Sequence, residues 1–352
     1  VSGRKYKSLR VGQNLSLLID KKALLVFCIL FLITAGFMII SAAVGQLYIA
    51  PMDVVRAIAG TGNEMHQTVV NTFRLPRILI ALLVGISLAV AGGILQGIIK
   101  NPLASPDIIG LTGGASVAVV AFLAMFSDKN HSLTVSISWL PLAAFVGASV
   151  TTFIVYMLAW KNGVSPIRLV LVGIGISALM QAGTTMMMIM GPIYQASQAN
   201  IWITGTVNGS KWADVQILLP LVILLLLLAF IFSRNLNVQE LGEEIAISVG
   251  SKVQTQRLIL IATATALTGG AVAFAGGIGF VGLMAPHIAR RLVGSAFGAL
   301  LPVSALIGGL LVIIADLIGR MMFAPLEIPA GVFTASIGAP YFIYLLYKTR
   351  NS

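Results

Sequence analysis

Apolar runs of membrane-crossing length recur along almost all of this 352-residue chain, and that recurrence limits its fold more than any motif does. A helix needs about 20 apolar residues to cross a bilayer. Such runs fall at 23–44, 75–98, 108–126, 138–160, 167–190, 213–233, 255–275, 280–293, 299–319 and 332–347, separated by charge, glycine or proline. Only 9% of residues are charged, against about a quarter in soluble domains, and 58% are hydrophobic. The expectation is an all-α integral membrane protein of about ten transmembrane helices, with no room for a separate soluble domain. Residues 1–22 form a basic amino-terminal segment, 23–347 the transmembrane body with a polar loop at about 234–256, and 348–352 a tail.

The third and eighth runs are interrupted, at Asn101-Pro102-Leu103-Ala104-Ser105-Pro106 and at Gly276-Gly277-Ile278-Gly279-Phe280. Backbone groups freed by such breaks need protein or water partners, so these segments belong near a path and not against lipid. The run at 23–44 is too long for a signal-peptide core and lacks a small-residue cleavage site, so it reads as a retained span.

The net charge of +11 sits in short clusters between apolar runs, which is a topology signal and not a nucleic-acid surface. With the amino terminus inside and ten crossings, sixteen of the 22 lysines and arginines face the cytoplasm. The other six, Arg56, Arg74, Arg77, Lys129, Lys211 and Arg320, lie outside as exceptions that need a reason. Both termini are then cytoplasmic.

Several chemistries lack material. Cys28 is the single cysteine, and His66, His131 and His287 are scattered, so neither a disulfide framework nor a His or Cys metal site is expected. The string Gly277-Ile278-Gly279-Phe280-Val281-Gly282 matches a dinucleotide fingerprint but has no strand before it and no acid about 20 residues on. The chain carries no phosphate-binding P-loop, so energy from ATP has to come from a partner. Asp107 and Asp316 are the carboxylates nearest the membrane interior, and both lie close to an interface. Mid-span carboxylates for an ion relay are missing, which argues against an ion-coupled secondary transporter, the main alternative. Met186, Met187, Met188 and Met190 read as flexible packing more than as a soft-metal ladder, because consecutive residues point to different helix faces, with a methionine-lined pore the other reading left open.

Two further features carry function. Leu241 to Gly250 is a short amphipathic pattern between two glycines in the longest polar interval. Periodicity alone allows a helix on the lipid surface or one offered to another protein's groove. On the other face, Arg74-Leu75-Pro76-Arg77 precedes the second span, with Pro76 suited to a first helical turn and Leu75 biased away from helix. Arg320 closes the ninth span. These arginines anchor at headgroups or offer carboxylate-binding forks, and the outside acids look too few and scattered to neutralise them. Asp316, four residues before Arg320, is a candidate for a local pair with it.

Taken in order, several elements together resemble the FecCD family of permeases, membrane subunits of type II ATP-binding-cassette importers for iron(III)-siderophores, haem and cobalamin. They are Arg74-Leu75-Pro76-Arg77; Gly85 to Gln96 with Asn101 to Pro106 and Gly110; Trp202-Ile203-Thr204-Gly205; Leu241 to Gly250; Gly279 to Leu283 with Pro286 to Arg290; and Ala315-Asp316, Arg320, Glu327-Ile328-Pro329, Gly331 and Gly338. The resemblance implies ten helices per subunit and a pathway shared with a second permease subunit, identical or related, in the bacterial cytoplasmic membrane. It makes the 241–250 segment the coupling helix that fits a cleft in a cytoplasmic ATPase, with Leu241, Gly242, Glu243, Glu244, Ala246 and Gly250 as coupling residues. It puts Arg74, Arg77 and Arg320 where an external substrate-binding protein docks, and Asn101, Pro102 and Leu103 at a cytoplasmic gate, joined by Ser165 in the 161–165 turn. It implies transport without an ATPase site of its own, no cofactor, no metal and no catalytic residue. Where relatives carry an acid after Arg291, this chain has Gly294-Ser295-Ala296-Phe297-Gly298.

Overall fold

A computed structural model describes residues 6–11, 15–126, 134–161, 163–190 and 193–349. Strands β1 (Tyr6–Val11) and β2 (Leu15–Asp20) pair antiparallel ahead of the helices. Asp20 caps the helix that follows by accepting the Lys22 amide at 2.8 Å. The helices are α1 (Lys21–Ala43), α2 (Pro51–Ile58), α3 (Glu64–Thr68), α4 (Leu75–Ile99), α5 (Leu111–Met125), α6 (Leu140–Ala159), α7 (Pro166–Met190) and α8 (Ile193–Thr204). They continue as α9 (Trp212–Ile231), α10 (Ser233–Glu240), α11 (Glu243–Ser248), α12 (Val253–Ala275), α13 (Val281–Val293), α14 (Phe297–Met321) and α15 (Ala330–Thr349).

Every one of the ten expected runs is a helix. Seven helical segments among the described residues are long and apolar enough to cross a membrane. The apolar stretches of α5 and α15 are shorter, and α13 has 13 residues. The stretch before α4 departs from expectation. Helix does not begin at Pro76; it runs unbroken from Glu64 to Ile99, with Val69–Arg74 wound as π-helix. The wider turn is the physical reason. Proline within an α-helix clashes with the carbonyl four residues back, and here the Leu75 amide reaches five residues back to Val70. The Asn71 carbonyl accepts the Trp212 indole N–H at 2.7 Å.

Helix α4 lies at the centre, packed by α12, α13 and α14, while α1, α7 and α9 turn most of their apolar surface outward. Lipid is as apolar as leucine, so close backbone contact must hold such a centre together. Glycines provide it. Gly85 meets Gly308 and Gly309 of α14, and one turn pair further on Gly92 meets Gly282 of α13. A Cβ at either position would overlap a carbonyl of the neighbouring helix. The Gly93 and Gly97 pair, which looks like a small-residue packing motif, instead admits the side chains of Leu301 and Phe297.

Both broken segments find protein partners for their backbone. After α4, Lys100 is left-handed (φ 55°) and the Asn101 side chain accepts the Leu103 amide at 2.9 Å. Between α12 and α13, Gly276 and Phe280 both have φ 66°. The Ala275 carbonyl there accepts the Thr206 amide at 2.8 Å, and the Gly331 amide donates to Gly205 at 3.0 Å. The end of α8, the α12–α13 break and the start of α15 therefore meet at one junction.

Candidate functional site

The positions singled out in the sequence gather at the two ends of α4. Arg77 to Gly97 spans about 30 Å at 1.5 Å per residue, so one end holds the arginines and the other holds α10, α11 and the turns after α4 and α6.

At the first end the three arginines are turned into the protein. Arg77 sets Nε and one terminal nitrogen against both oxygens of Asp316 at 2.8–3.0 Å. Its other terminal nitrogen reaches Glu327 at 2.9 Å and Asn208 at 3.3 Å. One guanidinium thus ties α4 to α14 and to the loops before α9 and α15, through a bidentate charge-assisted fork. Asp316 pairs with Arg77, 239 residues away, and not with Arg320 as their spacing suggested. The expectation that acids here are too few and scattered to neutralise the arginines fails for Arg77, onto which folding brings Asp316 and Glu327, and holds for Arg74 and Arg320, which have no ion pair among the described residues.

Arg74 and Arg320 act on α1. Arg74 donates to the carbonyls of Ala42, Ala43 and Leu47, and Arg320 to the Ser41 carbonyl at 2.7 Å. The last carbonyls of a helix lack partners within it and carry its negative dipole end, so two cations are well placed there. Gly45 leaves the room, since a Cβ would stand 2.6 Å from the Arg74 guanidinium. Arg74 is 7% exposed and Arg77 9%. Arg56 is exposed, paired with Asp53 one turn earlier on α2. Lys129 lies outside the described residues.

At the other end, the amphipathic pattern folds as the six-residue α11, set off by Gly242 (φ 132°) and Gly250 (φ 80°). Positive φ at both ends suits glycine and turns the chain sharply into and out of the helix. Ala246 is fully buried beneath it. Ile245 on α11 and Val249 at its carboxyl-terminal cap, four apart, are exposed, as are Ile247 and, ahead of the break at Gly242, Leu241. Glu243 and Glu244 occupy the first turn, where a helix favours negative charge.

Asn101 and Pro102 are exposed and Leu103 half-buried at the end of α4. Ser165 is half-buried and its carbonyl accepts the Leu169 amide, opening α7. No hydrogen bond among the described residues joins the 101–103 segment to Ser165. The turn before it is instead held by two residues that the sequence did not single out, Gln254 and Arg257 on α12. They bond the Val164 backbone across 90 and 93 residues, a separation no local pattern reveals.

Residues 30–348 match the model of the FecCD transport family. The chain is 61% identical over 333 residues to the Bacillus subtilis protein named "Probable siderophore transport system permease protein YfhA", covering 95% of this chain and 97% of that one. It is 43% identical to the achromobactin transport system permease protein CbrC of Dickeya dadantii, over 91% and 90% of the two chains. Among solved structures, one described as a metal-chelate type ABC transporter in an inward-facing conformation superposes with a TM-score of 0.82 at 29% identity, over 92% of this chain and 99% of that one. Matched by the family model over residues 30–348 and by these relatives over nearly its whole length, the chain belongs to the FecCD transport family.

Proposed function

We propose that this chain is the permease subunit of an ATP-binding-cassette importer that carries an iron(III)-siderophore or a related chelate across a bacterial cytoplasmic membrane. The end-to-end likeness to siderophore permeases is the observation that carries the reading. Two ATPase subunits bind on the cytoplasmic face, where both termini also lie, a substrate-binding protein delivers cargo outside, and a second permease completes the pathway. The exposed side of α7, with Gln181 and Thr185 among apolar neighbours, suits that pathway better than lipid, where polar side chains are costly. The arginine end suits the binding protein. Three arginines and two carboxylates gather there, a net charge of +1, and Glu327, 35% exposed at its side chain, is the group an incoming carboxylate would compete with for Arg77.

The apolar stripe of α11 suits a groove in the ATPase. Ile245 and Val249 are anchors at the spacing of a helix laid in a groove, with exposed Leu241 flanking them across Gly242, and a central apolar anchor is worth about 2 kcal/mol or more. Ile245→Asp should therefore weaken ATPase binding by roughly thirtyfold, measured as ATPase retained on purified permease. Undiminished retention would remove α11 from the contact.

The function itself is tested in proteoliposomes containing permease, ATPase and binding protein. Uptake of radiolabelled iron as a hydroxamate, citrate or catecholate chelate should require ATP and persist when proton and sodium gradients are collapsed. Uptake by the permease alone, driven by an ion gradient, would overturn the proposal in favour of a secondary transporter.

A further inference from the structure

The Glu243 carboxylate on α11 and the peptide group at Val164 on the α6–α7 turn are bridged twice, by the same two side chains. Gln254 donates to Glu243 at 3.3 Å while its carbonyl oxygen accepts the Val164 amide at 3.2 Å. Arg257 reaches Glu243 at 3.3 Å with one terminal nitrogen and donates to the Val164 carbonyl with the other. Both polar groups of one residue are thus held from one face of α12, since positions three apart on a helix are neighbours. Resting on the coupling role proposed for α11, we propose that Gln254 and Arg257 are positioning residues that carry displacement of α11 to the α6–α7 turn and so to the first turn of α7.

Three features make this a link and not incidental polar packing. The turn is shaped for it: Gly163 is at φ 118°, and a Cβ there would stand 2.8 Å from the Gln254 amide nitrogen. The link has an exposed end and a buried end, with the side chain of Glu243 44% exposed on the face offered to the ATPase and that of Arg257 4% exposed. Glu243 is also the one carboxylate that forms an ion pair with Arg257 among the described residues, and the Arg257 Nε has no partner. Separating α11 from α12 would leave a buried cation without its counter-charge, which is strongly unfavourable. A shift of α11 therefore takes Arg257 and the Val164 peptide with it. Two links from adjacent side chains also resist rotation, which a single hydrogen bond does not.

The test needs no knowledge of the cargo. With Cys28→Ser removing the native thiol, Lys161→Cys places a single exposed thiol in the turn. The assembled permease–ATPase complex is labelled with a fluorescent maleimide, without nucleotide and after trapping with ATP and vanadate. The labelling rate should change about tenfold between the two states. Gln254→Leu should shrink that change to within about twofold while the ATPase stays bound and hydrolyses ATP. Position 254 is half-buried, so this variant should fold even where a variant of buried Arg257 does not. Arg257→Lys, which keeps the charge but not the fork, should fall between. A full nucleotide-dependent change in Gln254→Leu, or none in the parent complex, would overturn the relay alone. An ATPase that does not bind the parent permease would instead sink the importer reading, and the relay with it.

Discussion

Replacing Arg77 with methionine is expected to destabilise the folded chain by about 3–5 kcal/mol, the range for breaking a buried ion pair from one side. Methionine keeps the bulk and removes the charge. Asp316, 4% exposed, would then lose the guanidinium that forms its ion pair, while Arg320 makes no hydrogen bond to it among the described residues and donates to Ser41. Glu327 and Asn208 would lose the same partner, and with them the loops before α15 and α9 would lose their tie to α4. Since most of the loss is the stranded carboxylate and not the pair itself, Arg77→Met with Asp316→Asn should recover a large part of it. The check is the thermal midpoint of the purified permease at one fixed heating rate, because membrane-protein unfolding is often irreversible. If Arg77 served docking alone, the single variant would lose uptake with an unchanged midpoint.

That expectation also marks what was legible in the sequence. Ten helices were, because a span announces itself by local apolarity, and each expected run is a helix in the structure. The 241–250 segment was, because two glycines and an amphipathic stripe sit close together. The role of Arg77 was not. Its partners lie 239 and 250 residues away on an element and a loop that only the fold brings near, so arginines outside the membrane looked unneutralised when two carboxylates were waiting. The winding before Pro76 was hidden too, since a proline signals a helix start and gives no sign that a π-turn can absorb it. Gln254 and Arg257 stayed hidden for the reason Arg77 did: each is an ordinary polar residue near a helix start until Val164 arrives beside it.

The glycine contacts of α4 yield the second large effect, through one substitution with opposite outcomes at different sites. Gly92→Ala should abolish the folded permease. The added methyl would fall on the backbone of Gly282, and backbone cannot rotate aside as a side chain does. Gly85→Ala meets Gly308 and Gly309 in the same way. Inserting a methylene into a packed core costs typically 1–3 kcal/mol even where side chains yield, and at Gly92 and Gly85 the facing atoms are backbone. At Gly36 on α1, a Cβ meets nothing within 4 Å. There the higher helix propensity of alanine should stabilise by up to about 1 kcal/mol. The measurement is the yield of monodisperse permease on size-exclusion chromatography after mild heating. Gly36→Ala should match or exceed the parent, while Gly92→Ala and Gly85→Ala should give little or no peak. Since helix propensity favours alanine at all three sites, their divergence isolates the interhelical contact, and a normal peak from Gly92→Ala would mean that α4 and α13 do not meet at Gly282.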